Sequence, residues 1–89
     1  MLERELIVGN KLGLHARAAA KLVQVLSGFR SQVTLTGRGR EVNAKSIMGV
    51  LLLAAVPGAT LVLRADGEDE AAAMAAAVAL FERRFDEDD

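Results

Sequence analysis

Apolar and polar positions alternate at the start of the chain. Leu2, Leu6 and Val8 share one parity, which predicts a half-buried strand over residues 3–8. The period then lengthens. From His15 or Ala16 to Leu26 it is helical, with Ala16, Ala19, Ala20, Val23 and Leu26 on the predicted inner face, and Ser27-Gly28 as the stop. Alternation returns over residues 32–36, with Val33 and Leu35 inward. A Gly37-Arg38-Gly39 turn leads into a short third strand over 40–43. Ser46 is placed to cap a short helix from 47 to about 54, and Pro57-Gly58 breaks the chain. Leu61, Leu63 and Ala65 mark a fourth strand over 60–65, closed by Asp66-Gly67. A last helix is predicted over 69–85, with Met74, Val78, Phe81 and Phe85 as one apolar stripe. Acidic residues 68–70 at its start and Arg83 and Arg84 at its end complement the helix dipole. Residues 86–89 read as a frayed acidic tail.

The resulting order, βαββαβα, predicts an α+β fold. It is an open-faced two-layer sandwich, with helices on one face of a mostly antiparallel four-stranded sheet. The 89 residues are enough for one domain, residues 1–89, and leave no room for a second core. The chain is 52% hydrophobic but only 3% aromatic, and 16 residues are alanine. The core is therefore expected to be close-packed Leu, Val and Ala rather than rings.

Composition narrows the chemistry. There is no cysteine and one histidine, so no disulfide framework, thiolate metal site or multi-histidine metal centre is expected, and no cofactor. No apolar run approaches the roughly 18 residues of a membrane span, and the start, Met-Leu-Glu-Arg-Glu, lacks a signal-peptide pattern. A cytoplasmic protein is the expectation, with no membrane insertion. The net charge of −1 hides an asymmetry: residues 1–64 carry +6 and residues 65–89 carry −7. A basic body suits an anionic ligand or an acidic partner.

The segment Gly13-Leu14-His15-Ala16-Arg17 has the parts of a phosphate site. His15 stands where loop becomes helix, and helix N-termini attract anions through unpaired N–H groups and the dipole. The N–H groups of Ala16 and Arg17 could hold a phosphoryl group taken up by His15. The Arg17 guanidinium could fork onto it, and Gly13 lets the loop turn tightly. The competing reading is a histidine that only caps a helix, although Ser, Thr, Asp and Asn are the favoured caps. In the short helix Val50, Leu53 and Ala54 can go inward. Ile47, Met48 and Leu51 are then left outward as an apolar docking face beside a basic rim. Ser46 either caps that helix or is a phosphorylation site next to the face.

Other chemistries lack parts. Residues 39–46 come within one residue of a phosphate-binding loop, but Ala44 replaces the second glycine and the chain is too short for the parallel sheet that supports such a loop. No spacing supports a catalytic triad of His15 with Ser27 or Ser46. The rival classes are a small nucleic-acid-binding module, suggested by the basic body but lacking Trp and Tyr for stacking, and a ligand-sensing domain.

Residues 13–17 with Ala19-Ala20, and Val42-Asn43-Ala44-Lys45-Ser46-Ile47-Met48-Gly49, resemble the two signatures of the HPr family. These are the histidine phosphocarriers of the phosphoenolpyruvate-dependent phosphotransferase system. The resemblance spans residues 2 to 85. It implies a sheet of order 1-4-2-3 with three helices on one side. It implies phosphorylation of His15 on Nδ1 by enzyme I, transfer to an enzyme IIA-type domain, steadying by Arg17, and docking through Ile47, Met48 and Leu51. A monomer without catalytic activity of its own is expected, with no nucleic-acid partner. In members with a regulatory branch, the serine matching Ser46 is modified by HPr kinase/phosphorylase. Many sugar-transport members have proline after the arginine. Ala18 here is more similar to carriers of the nitrogen-related or regulatory branch.

Overall fold

The computed structural model describes residues 1–53 and 55–86. The predicted inward place of Ala54 and the tail at 87–89 lie outside them. The elements are β1 (Leu2–Ile7), α1 (Ala16–Leu26), β2 (Gln32–Gly37), β3 (Arg40–Asn43), α2 (Ile47–Leu52), β4 (Thr60–Asp66) and α3 (Glu70–Glu82), followed by a 3₁₀ turn (Arg84–Asp86). The strands form one antiparallel sheet in the order β1-β4-β2-β3.

Register explains which face is core. Leu6 lies opposite Leu61, Leu35 opposite Leu63, and Val33 opposite Ala65, and all six are buried. The alternate positions carry Glu3, Arg64 and Glu41, which form ion pairs across the other face. Only the first set can be covered by helices without burying charge. Leu2 shares the inward parity but is 39% exposed, because it sits at the end of an edge strand. At the β2–β3 hairpin both Arg38 and Gly39 have positive φ (52° and 76°), the mirror-image turn that matches strand twist.

The α1 face differs from its sequence pattern. Ala18, Ala19, Leu22 and Leu26 are the buried positions, whereas Ala16 is exposed and Ala20 and Val23 are half-buried. The helix is rotated toward Leu22 because a leucine buries more apolar area than an alanine. Alanines Ala73 and Ala77 on α3 are fully buried and let that helix approach the sheet closely.

The apolar stripe of the last helix is buried, but not by one continuous helix. α3 stops at Glu82, and Arg84, Phe85 and Asp86 all have left-handed backbone (φ 55°, 57° and 60°). Each costs on the order of 1 kcal/mol for a side-chain-bearing residue. Several contacts offset that cost. Phe85 is fully buried and lies edge-on to Phe81 at 4.9 Å. Lys21 Nζ donates to the Phe85 carbonyl at 2.8 Å, and Arg83 pairs with Asp86 at 2.9 Å. The core thus uses two rings as well as Leu, Val and Ala.

Asp69 stands at the N-cap position of α3. It makes no side-chain cap on α3. Its carboxylate instead accepts hydrogen bonds from Arg30 N, Ser31 N and Ser31 Oγ, which ties the α1–β2 loop to the start of α3.

Candidate functional site

The loop before α1 is held from both sides. Val8 N donates to Ala59 O at 2.9 Å, and Gly58 N donates to Val8 O at 2.7 Å. Asn10 is fully buried, and its Nδ2 donates to Gly13 O at 2.7 Å. Leu14 N donates to Ala55 O at 3.0 Å, and the Leu14 side chain is buried. Gly13 has φ +71°, and an added Cβ there would lie 2.5 Å from Ala55 O. Glycine is required by both conformation and space.

This scaffold delivers His15 as the N-cap of α1, in extended conformation (φ −89°, ψ −179°). Its Nδ1 accepts from the backbone N–H of Arg17 at 3.2 Å, and its carbonyl accepts from Ala19 N at 2.9 Å. An acceptor nitrogen carries its lone pair on the ring edge, so a neutral ring has its proton on Nε2. That lone pair faces the helix N-terminus. Ala16 and Arg17 are both exposed, and the Arg17 guanidinium has no partner among the described residues. The arrangement places one backbone N–H, that of Arg17, at Nδ1 and leaves the Arg17 side chain exposed beside it. His15, Ala16 and Arg17 thus stand at the N-terminus of α1.

Ser46 caps α2. Its Oγ accepts from Gly49 N at 3.0 Å, so the capping half of its two readings is present. Ile47 and Met48 are exposed (42% and 70%), and Val50 and Leu53 are buried. Leu51 is a correction: it is half-buried against the core, and Leu52, at 57% exposure, takes the outer position. Met48 and Leu52 are four apart and share a face, as do Ile47 and Leu51. The helix is turned so that Leu51 leans on the core while Ile47, one turn earlier, stays exposed.

Two further exposed apolar residues escaped the sequence reading, Leu12 and Val56. They belong to the two segments joined by the Leu14–Ala55 hydrogen bond, so they flank the His15 loop. A leucine between Lys11 and Gly13 in a tight loop was the available signal for the first. Lys45 Nζ donates to Phe29 O at 2.7 Å and ties the α1–β2 loop to the segment that precedes α2.

The residues resembling a phosphate loop are otherwise occupied. Residues Arg40–Asn43 form an edge strand and Ala44 is buried, so that backbone cannot wrap an anion. Among the described residues there is no cluster of three or more potential metal ligands. None of the described helices is long and apolar enough to cross a membrane.

Comparison with known proteins points the same way. The family model for the PTS HPr component phosphorylation site matches residues 2–83. A phosphocarrier protein HPr from Xylella fastidiosa (strain 9a5c) is 67% identical over 88 residues, which is 99% of both chains. A phosphocarrier protein NPr from Shewanella violacea is 42% identical, over 97% of this chain and 94% of the relative. The crystal structure of an HPr from Thermoanaerobacter tengcongensis superposes with a TM-score of 0.94 at 44% identity, covering 99% of each chain.

Proposed function

Since the chain belongs to the HPr family of phosphocarrier proteins of the phosphotransferase system, we propose that it carries a phosphoryl group on Nδ1 of His15. Enzyme I is the donor and an enzyme IIA-type domain the acceptor. The observation that supports this most directly is the Arg17 N–H pointing at His15 Nδ1. In the transfer the Nδ1 lone pair forms the N–P bond as the donor's bond to phosphorus breaks, and the bonding pair returns to the donor. The N–P bond then lies along the former lone pair, so the Arg17 N–H exchanges the ring nitrogen for a phosphoryl oxygen, and the Ala16 N–H is the second donor of the same helix start. The Arg17 side chain balances the dianion. No general base is needed, because the attacking nitrogen gives up no proton.

The chain supplies a nucleophile on an open surface and a docking face, and the larger partners supply catalysis. Ile47, Met48 and Leu52, with Leu51 behind them, form the apolar part of that face; Leu12 and Val56 extend it. Lys11 and Arg17 on the His15 segment give it a basic rim for acidic partners, which speeds encounter and keeps complexes exchangeable. Ser46, next to the face, is the site where an HPr kinase would add charge. Relatives named HPr and NPr both occur. Which IIA-type domain accepts the group separates a sugar-uptake from a nitrogen-related role.

Incubation with enzyme I and phosphoenolpyruvate is expected to add one acid-labile phosphate per chain. Retention of that label in His15→Ala overturns the proposal.

A further inference from the structure

The chain has no cysteine, tryptophan or tyrosine. Its thioethers are therefore the side chains most open to oxidation by a peroxide. The three methionines occupy different environments. Met74 is 7% exposed, inside the core. Met1 is 70% exposed at the chain start, and Met48 is 70% exposed on α2, between Ile47 and the outward Leu52.

We propose that Met48 is a modification site. Two-electron oxidation of its sulfur by a peroxide lowers docking at this face, and a methionine sulfoxide reductase restores it, with a dithiol oxidised to a disulfide as the sulfoxide oxygen leaves as water. The proposal rests on the reading of α2 as the docking face and concerns the regulation of that face. In the step, a sulfur lone pair attacks one peroxide oxygen. The S–O bond forms as the O–O bond breaks, and the departing hydroxide takes the remaining proton and leaves as water. Sulfur is oxidised by two electrons and the peroxide reduced by two.

The physical consequence is local. A thioether is apolar and adapts its shape to a partner, whereas a sulfoxide is strongly polar and chiral. An apolar contact that buries the sulfoxide oxygen without a donor pays its desolvation. The fold itself is not threatened. Met48 is largely in solvent, while the buried anchors of α2 and its C-cap are Val50 and Leu53.

The test exposes the full chain to hydrogen peroxide and locates the added oxygen by peptide mass spectrometry. Met1 and Met48 are expected to gain oxygen before Met74. The second-order rate of phosphoryl transfer from enzyme I should fall on the order of ten-fold in step with Met48 oxidation, and recover with methionine sulfoxide reductase. Met1→Leu should show the same loss. Met48→Leu should show none relative to its own untreated rate. Resistance of Met48 to oxidation, an unchanged rate once it is oxidised, or the same loss in Met48→Leu overturns the proposal. Untreated Met48→Asp separates the two layers of the argument. If it transfers normally, the docking reading fails. If it is slow while the sulfoxide is not, the docking reading stands and oxidative control alone fails.

Discussion

The backbone N–H of Arg17 donates to Nδ1 of His15 at 3.2 Å. The contact leaves the Nδ1 lone pair, the nucleophile of the proposed transfer, facing the N-terminus of α1.

Phosphorylation should therefore move the Arg17 amide resonance more than most others in a ¹H–¹⁵N correlation spectrum. An unshifted Arg17 amide would place the group on Nε2. Arg17→Ala should leave the fold intact, because the side chain is exposed. It should lower transfer about ten-fold or more, as expected for loss of a charge-assisted hydrogen bond worth ~1.5–3 kcal/mol.

Gly13→Ala tests the loop that carries the histidine. The new Cβ meets the Ala55 carbonyl at 2.5 Å in a backbone with φ +71°. A loss of at least about 1–2 kcal/mol in urea unfolding is expected, with slower phosphorylation because His15 is displaced. Unchanged stability and transfer would show that the loop has another way to present the ring.

Ser46 has a structural and a regulatory part, and two substitutions separate them. Ser46→Ala removes the acceptor for Gly49 N and should cost about 1 kcal/mol of stability. Ser46→Asp keeps an N-cap acceptor and should retain the melting temperature. It should nevertheless slow transfer by placing charge beside Ile47 and Met48. Normal transfer in Ser46→Asp would argue against control at this position.

Asp69 should control acid stability. The hydrogen bonds from Ser31 Oγ, Arg30 N and Ser31 N hold its carboxyl at about 2, below the ordinary 3.8. A carboxylate stabilised in the folded state contributes fully above its unfolded value, and the contribution fades as pH falls from near 4 toward 2. Thermal melts of Asp69→Ala should show a deficit at pH 7 that narrows over that window. A deficit independent of pH would mean that the loop is held by packing rather than by the ionised group.

The sheet was the most legible part of the fold. A period of two is a property of the backbone, so Val33 and Leu35, or Leu61 and Leu63, can only be inward together. The helices were less so. On an alanine-rich helix many faces have similar apolarity, so the pattern chose Ala16 and Ala20 where packing chose Ala18 and Leu22. The same ambiguity put Leu51 outward in place of Leu52. At the C-terminus the spacing of Phe85 suits a continuous helix. The residue reaches the core through three left-handed positions held by Lys21, which stands 64 residues away in sequence.

The sequence by itself determined the strands, the chain order of the elements, and the segment in which His15 precedes Arg17 at a helix start. Each depends on neighbours within a few residues, and local periodicity and capping chemistry report those directly. Tertiary structure decided the rest. The anchoring of the His15 loop on Ala55 and the carboxylate clamp of Asp69 on Ser31 join segments far apart in sequence, and burial of Val50 and Leu53 sets Leu52 outward. No local pattern encodes them, because their partners meet only when the core closes.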